Sequence, residues 1–324
     1  MKKIIFRILV WTIWPAVMVQ AGDGKGGQPA VFRDLAQGAR PAALGGAFTA
    51  VAEGGAGIMY NPAGATQSER KIVSAGYRAM TLDRRMGQVV FSFPARENSG
   101  IAFNWDYAGT APLAERDSRG YVLPDKEISY SENLFGVTFA KQFGEYFLLG
   151  GRVFYIQNSL AMISAYTVGV DFGVLAKIDL RSSFLRSSFP LLRVGLAGDN
   201  FGARYRWTTT EYWRSHGLEQ GATTEEDFPE VYRLGAVLEQ PGRYLLTTDL
   251  EVQSTGKGET HVGGEYTYRR LLVLRAGLDS GHPTFGLGVF RQLGDSRMIV
   301  CDFAYLLGKA GAGDDLLLSL EFQF

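Results

Sequence analysis

The sequence predicts an all-β protein, a transmembrane antiparallel β-barrel of about 14 strands with an N-terminal plug. Three observations predict it. The first residues read as an export signal, segments of period-two alternation recur from residue 71 onward, and no window after Ala21 approaches the roughly 20 apolar residues of a membrane-spanning helix. An exported chain that crosses a bilayer without such a helix must close its strands on themselves, because only helices and closed barrels satisfy every backbone group in lipid.

Lys2, Lys3 and Arg7 form a charged start, Ile8 to Val19 an apolar run, and Val19-Gln20-Ala21 a small-x-small cleavage site, so residues 1–21 read as a secretory signal peptide. Residues 22–70 do not read as strand. Small residues dominate from Ala36 to Ala52, and Gly54-Gly55-Ala56-Gly57 and Asn61-Pro62-Ala63-Gly64 follow. Small side chains permit close backbone approach, and Asn-Pro ahead of Gly is turn chemistry, so this segment suits a plug in a confined lumen. Residues 71–324 carry the barrel, with strands expected near 71–79, 87–93, 99–108, 132–142, 146–157, 162–177, 190–199, 229–239, 243–253, 258–268, 270–279, 283–292, 296–307 and 314–324.

The last segment alternates most cleanly. Leu316, Leu318, Leu320, Phe322 and Phe324 share one face, with Leu317, Ser319, Glu321 and Gln323 on the other. It is expected to close the wall against 71–79 and to set Phe322 and Phe324 at the periplasmic end of the lipid face. An aromatic terminus there resembles the signal read by the barrel-assembly machinery. In other segments Asp106, Asp171, Arg193, Arg233, Asp249, Glu251, Glu265 and Arg275 all fall on the less apolar side. A charge facing lipid near the midplane costs about 2–4 kcal/mol, so the charged side is the lumen. Gly136, Gly169, Gly173, Gly195, Gly235, Gly263 and Gly277 share that side and leave room for something inside. The mixed signs favour Arg–Asp pairs that brace the interior over an ion-selective channel. The two longest connections, 109–131 and 200–228, both fall on odd positions, as long outer loops should, while Asp179 to Phe189 is a longer even connection that nothing explains. The expected location is the bacterial outer membrane, with its lipids as surroundings.

Other signals are weaker. The 33 basic residues balance the 33 acidic ones, so there is no nucleic-acid footprint. A single cysteine, Cys301, rules out an intrachain disulfide and a zinc cluster, and it falls on the lipid face. Gly22-x-Gly24-x-x-Gly27 spells a dinucleotide fingerprint but follows a cleavage site rather than a strand. His261 and Glu265 share a strand face roughly 13 Å apart. His216 and His282 sit in expected loops, so no metal or other cofactor is expected. No nucleophile elbow appears, and no enzyme is expected.

The run Gly38-Ala39-Arg40, Leu44-Gly45-Gly46-Ala47-Phe48 and Tyr60-Asn61-Pro62-Ala63-Gly64 resembles the N-terminal hatch of the FadL-type outer-membrane transporters, and more closely the PorV/PorQ-type branch. Leu274-Arg275-Ala276-Gly277-Leu278-Asp279-Ser280-Gly281 and Phe285-Gly286-Leu287-Gly288-Val289 resemble the barrel hairpins of that branch. The resemblance implies a 14-stranded barrel closed by a hatch in which Gly45, Gly46, Tyr60, Asn61, Pro62 and Gly64 form the structural or gating motif. It also implies two functions. One is passive passage or hand-over of hydrophobic or amphipathic small molecules, collected at aromatic outer loops and admitted by movement of the hatch. The other is an accessory role in type IX secretion, holding secreted cargo proteins at the cell surface. The chain is shorter than typical FadL-type transporters and lacks their large extracellular binding region. Tyr205, Trp207, Tyr212 and Trp213 in the connection 200–228 are the candidate ligand or partner loop.

Overall fold

The computed structural model describes residues 28–324 apart from 97, 118, 181–188, 216–220, 270 and 309–312. The expected signal peptide, the fingerprint spelling at Gly22–Gly27, His216 and most of the Asp179–Phe189 connection lie outside the described residues.

Every expected wall segment forms a strand. In chain order the strands are β1 (Ile72–Ala79), β2 (Arg84–Ala95), β3 (Ser99–Thr110), β4 (Leu113–Arg116), β5 (Val122–Ile128), β6 (Tyr130–Phe143), β7 (Phe147–Leu160), β8 (Ile163–Asp179) and β9 (Leu191–Phe201). Then come β10 (Arg204–Thr208), β11 (Thr223–Asp227), β12 (Val231–Gln240), β13 (Tyr244–Gln253), β14 (Gly258–Tyr268), β15 (Leu272–Asp279), β16 (His282–Leu293), β17 (Arg297–Leu306) and β18 (Asp315–Gln323). All but β4, β5, β10 and β11 build a closed antiparallel barrel of 14 strands. The seam is β1 against β18, in the register Ile72 opposite Gln323 and Gly76 opposite Ser319. Mutual 3.0 Å backbone bonds between Lys71 and Phe324 extend it by one rung.

Both connections expected to be long loops contain a short hairpin of their own, β4–β5 and β10–β11. They emerge at one end of the barrel, while tight turns at Gly144, Gly242 and Gly294 occupy the other. The period-two signal fades where strands leave the lipid, although their pairing continues. This is why β2 begins at Arg84, ahead of the expected 87.

The alternation sorts the wall into two environments. On β6, Phe135, Val137 and Phe139 are exposed on the outside, while Leu134, Thr138 and Ala140 are buried within. Trp105, Phe172, Leu246, Leu274 and Leu318 continue the exposed apolar belt. An apolar surface of this extent has no place in water and is the surface of a lipid-embedded barrel.

The segment 28–70 lies inside. Its helical turns, Val31–Asp34, Ala39–Ala43, Gly54–Gly57 and Pro62–Thr66, are each a single turn. Ala39–Ala43 packs on β16–β18 and Pro62–Thr66 on β6–β8, so the plug spans the lumen between wall sectors. The wall glycines make the space. A Cβ at Gly195 would stand 2.4 Å from the Thr49 carbonyl oxygen, one at Gly263 2.5 Å from that of Leu44, and one at Gly100 2.0 Å from that of Ala65. Gly195→Val should therefore force plug from wall and destabilise the protein by about 1–3 kcal/mol. Gly87 faces outward, and its Cβ would meet nothing nearer than 4.0 Å, so Gly87→Ala should be neutral. Unfolding midpoints and protease cleavage within residues 28–70 check the pair, and equal behaviour of the two variants would contradict this account.

Candidate functional site in the barrel lumen

Along the barrel axis the interior divides into an apolar layer at the long-loop end, the plug, and a charged cavity at the short-turn end.

At the long-loop end Phe32, Leu134, Phe154, Ile156, Tyr205 and Phe228 form one buried cluster. Phe32 comes from the plug, Phe154 from β7, and Tyr205 from the β10–β11 hairpin, which folds back over the opening. The hairpin is tied down where the Arg204 amide donates to Thr167 Oγ1 at 3.0 Å. The Tyr205 ring meets Phe228 edge-on at 4.7 Å and Trp207 at 5.5 Å. Tyr205 was expected on an outer loop and is instead fully buried, because alternation along β10 turns it toward the lumen. Trp207 is half-buried, with its indole N–H donating to Glu226 at 2.9 Å. Tyr212 and Trp213 sit apart on the helical turn Thr210–Ser215, where Trp213 is exposed.

The plug motif lies in the middle layer. Asn61 accepts from the Ala63 amide at 3.1 Å, capping the turn that Pro62 begins. Its Nδ2 reaches the carbonyls of Thr49 (3.0 Å), Val174 (3.0 Å) and Leu196 (3.2 Å), which ties plug to wall. A Cβ on Gly64 would stand 2.2 Å from the Ala52 carbonyl oxygen. Tyr60 accepts from the Gln37 amide at 2.9 Å and packs edge-on against Phe48. Gly45 and Gly46 form a left-handed turn, φ 67° and 84°, pressed against Leu278 and His261.

The wall meets this backbone with polar side chains that the sequence did not single out as partners. Asp249 Oδ2 accepts from the amides of Phe48 (2.9 Å) and Thr49 (2.8 Å). Ser319 accepts from Ala39, Glu321 accepts from Gly55, and Thr247 and Thr284 donate to Ala47 and Ala43. His261 Nδ1 contacts the Gly45 carbonyl at 2.8 Å and Asp279 at 3.2 Å. The neighbours of His261 are thus Asp279 across the ladder and Glu259, rather than Glu265. With Nδ1 engaged by Gly45, this group clamps the plug.

Ion pairs knit the same interface. Asp171 accepts from Arg33 of the plug (2.8 Å) and from Arg152 of the wall (2.7 Å). Arg233 pairs with Asp199 and, at 2.8 Å, with Glu251. Toward the short-turn end Arg40 of the plug meets Glu265 (2.9 Å) and Glu53 (3.0 Å), while Arg193 of the wall meets Glu53 (2.7 Å) and Glu239 (2.8 Å). Arg40, Glu53, Arg193, Glu239 and Glu265 line a cavity of about 840 Å³. Two further cavities of about 30 and 20 Å³ are lined in part by plug residues, Arg33, Met59 and Tyr60 in one and Ala36, Gln37 and Gly38 in the other. Arg33, Arg40 and Glu53 are among the few charges in the small-residue segment, and that rarity was the available signal for them.

The sequence matches no family model and no curated protein. The fold has counterparts among solved structures. The toluene transporter TodX of Pseudomonas putida is similar with a TM-score of 0.59 at 11% identity, over 89% of this chain and 97% of that one. The CymD monoaromatic hydrocarbon channel gives 0.55 at 13%, covering 88% and 96%. A FadL homologue of Pseudomonas aeruginosa gives 0.55 at 10%, covering 89% and 98%. These likenesses establish a FadL-type barrel fold. With the apolar belt and the sorted connections, the fold places the chain in the bacterial outer membrane, long loops outward and short turns toward the periplasm.

Glu53 offers a pH handle on the plug. Burial by itself would raise its carboxyl, but the Arg193 and Arg40 guanidiniums outweigh burial and hold it at about 2, below the ordinary 4.5. A depressed carboxylate contributes stability that is complete above its unfolded value and is lost as pH falls through the folded one. The Glu53 contribution should thus be level above pH 4.5 and shrink toward pH 2, so Glu53→Gln should be less stable than the wild type above 4.5 by a margin that narrows as the pH falls toward 2. Thermal unfolding of both proteins across this range checks it.

Proposed function

We propose that the protein is a plugged outer-membrane channel through which hydrophobic or amphipathic small molecules pass without an energy source. The observation that carries this reading is the division of the lumen, with an apolar cluster around Phe32, Phe154, Tyr205 and Phe228 outside the plug and a charged cavity of about 840 Å³ inside it. An apolar solute is drawn from water into the first layer by the burial term that packs the cluster itself, roughly 25 cal/mol per Å². The plug then has to yield. Its hold on the wall combines ion pairs, the packing of Ala39, Ala42 and Ala43 against Ala304 and Leu317, and hydrogen bonds of modest net worth, about 0.5–1.5 kcal/mol each. The polar part of that hold exchanges with water more readily than a packed apolar core separates. Gly45, Gly46, Tyr60, Asn61, Pro62 and Gly64 are the residues that shape the plug and set how it moves. The solved channels of this fold that carry toluene and monoaromatic hydrocarbons support the reading. Phe322 and Phe324, stacked at 5.3 Å at the periplasmic rim, are proposed as the mark read by the barrel-assembly machinery.

Removal of residues 22–70 should convert the closed barrel to an open one. In proteoliposomes this variant, with its folded state confirmed by heat-shifted gel migration, should pass small polar solutes at least tenfold faster than the intact protein. Unchanged flux would count against the channel reading.

One observation favours a second reading, a PorV/PorQ-type accessory of protein secretion. Tyr212 and Trp213 stand on the outer hairpin away from the lumen, with Trp213 exposed, which suits a protein partner better than a solute on its way inward. Under that reading a pull-down with the intact protein recovers secreted proteins that share a C-terminal domain, and Trp213→Ala weakens their capture severalfold. Recovery unaffected by the substitution would remove the role of this surface.

A further inference from the structure

We infer that the periplasmic rim under β13–β18 carries a binding site for the phosphate of an anionic phospholipid of the inner leaflet. Arg243, Arg269, Arg291 and Arg297 are all exposed along this arc, with Lys71 at its end. The register sets Arg291 opposite Ile299 and Arg297 opposite Leu293. Val289 and Cys301 are exposed on the outer face, and Arg291 and Arg297 lie at even spacing from them, so both belong to the lipid-facing side. They are diagonal neighbours there, about 7 Å apart.

Among the described residues neither arginine has a carboxylate partner, and Asp295 in the turn between them pairs with neither. Two uncompensated like charges at the edge of an apolar belt repel each other, and an anion seated between them removes the repulsion. The flanking cations are set over rings, Lys71 over Phe324 at 5.9 Å, Arg243 over Tyr244 at 5.7 Å and Arg269 over Tyr268 at 5.1 Å. Aromatic rings of this kind sit at headgroup level in a membrane interface. Toward the midplane the exposed Leu274, Leu287, Val289 and Leu320 continue the same outer face and offer a track for an acyl chain. A headgroup of net negative charge suits this sector better than a zwitterion, since each basic residue near such a surface contributes about a fivefold gain in binding.

The test is native mass spectrometry of the detergent-solubilised protein titrated with phosphatidylglycerol and, separately, with phosphatidylcholine. The intact protein should retain phosphatidylglycerol preferentially. Arg291→Gln with Arg297→Gln should weaken that retention about 25-fold. Arg84→Gln at the opposite rim should leave it unchanged. Equal retention of phosphatidylglycerol by the intact protein and the double variant would overturn the site. So would equal retention of the two lipids by the intact protein, or displacement of phosphatidylglycerol by an equal concentration of inorganic phosphate. If the double variant does not assemble, as judged by heat-shifted migration, each single variant takes its place with the same outcomes.

Discussion

The amides of Phe48 and Thr49 both end on one carboxylate oxygen of Asp249, and that contact states the constraint the whole interior obeys. The wall strands satisfy their own backbone by pairing around a closed circle. The plug has no ladder, and its single helical turns leave donors and acceptors open at both ends. Each one left buried and unpaired costs about 1–3 kcal/mol. The wall therefore supplies partners from its lumen face, carboxylates and hydroxyls for the donors, and threonines and a histidine for the carbonyls. Asn61 works in the other direction, a plug side chain reaching the wall carbonyls of Val174 and Leu196. The polar lumen residues are thus the other half of the plug's secondary structure.

The ion pairs obey the same logic with more directional force. Arg33 and Arg152 share Asp171, and Arg40 and Arg193 share Glu53, so in each case one carboxylate joins a plug cation to a wall cation. Buried pairs of this sort contribute little net stability relative to apolar packing, but removal of one member leaves a charge stranded. Their effect is to define where the plug sits. An apolar interface of the same area would hold it as firmly with less control over position, and it would part from the wall less readily in water.

The barrel also separates its two ends chemically. The outer opening is roofed by a hairpin that turns Tyr205 inward, while the periplasmic side keeps a charged cavity open behind the plug. On the outside the belt stays apolar until the rim, where rings carry cations. Lumen and lipid face are one residue apart on every strand, so the two chemistries coexist in the wall without mixing.

Period two made the wall legible in advance. Alternation such as Leu316 to Phe324 assigns strand and face together, because a strand between lipid and a filled lumen cannot shift by a single residue without exchanging them. The lumen glycines and the small-residue segment were equally plain, since close backbone approach requires small side chains on both surfaces. The pairings across that approach were hidden. Arg40 finds Glu265 and Phe48 finds Asp249 over separations of more than 200 residues, and which wall carboxylate faces which plug amide depends on how the closed barrel sets its strands around the segment. Tyr205 escaped for a related reason, because only the folded hairpin decides whether an aromatic in a long connection points to water or to the lumen. The sequence alone determined that the chain is a barrel, which side of each strand meets lipid, and that small-residue backbone fills the inside, since these follow from local periodicity and side-chain size. The partners that hold the plug and the burial of Tyr205 came from the tertiary structure, because each joins segments far apart in the sequence, and the arginine pair on the rim came from the register of the β16–β17 hairpin, which periodicity alone does not set.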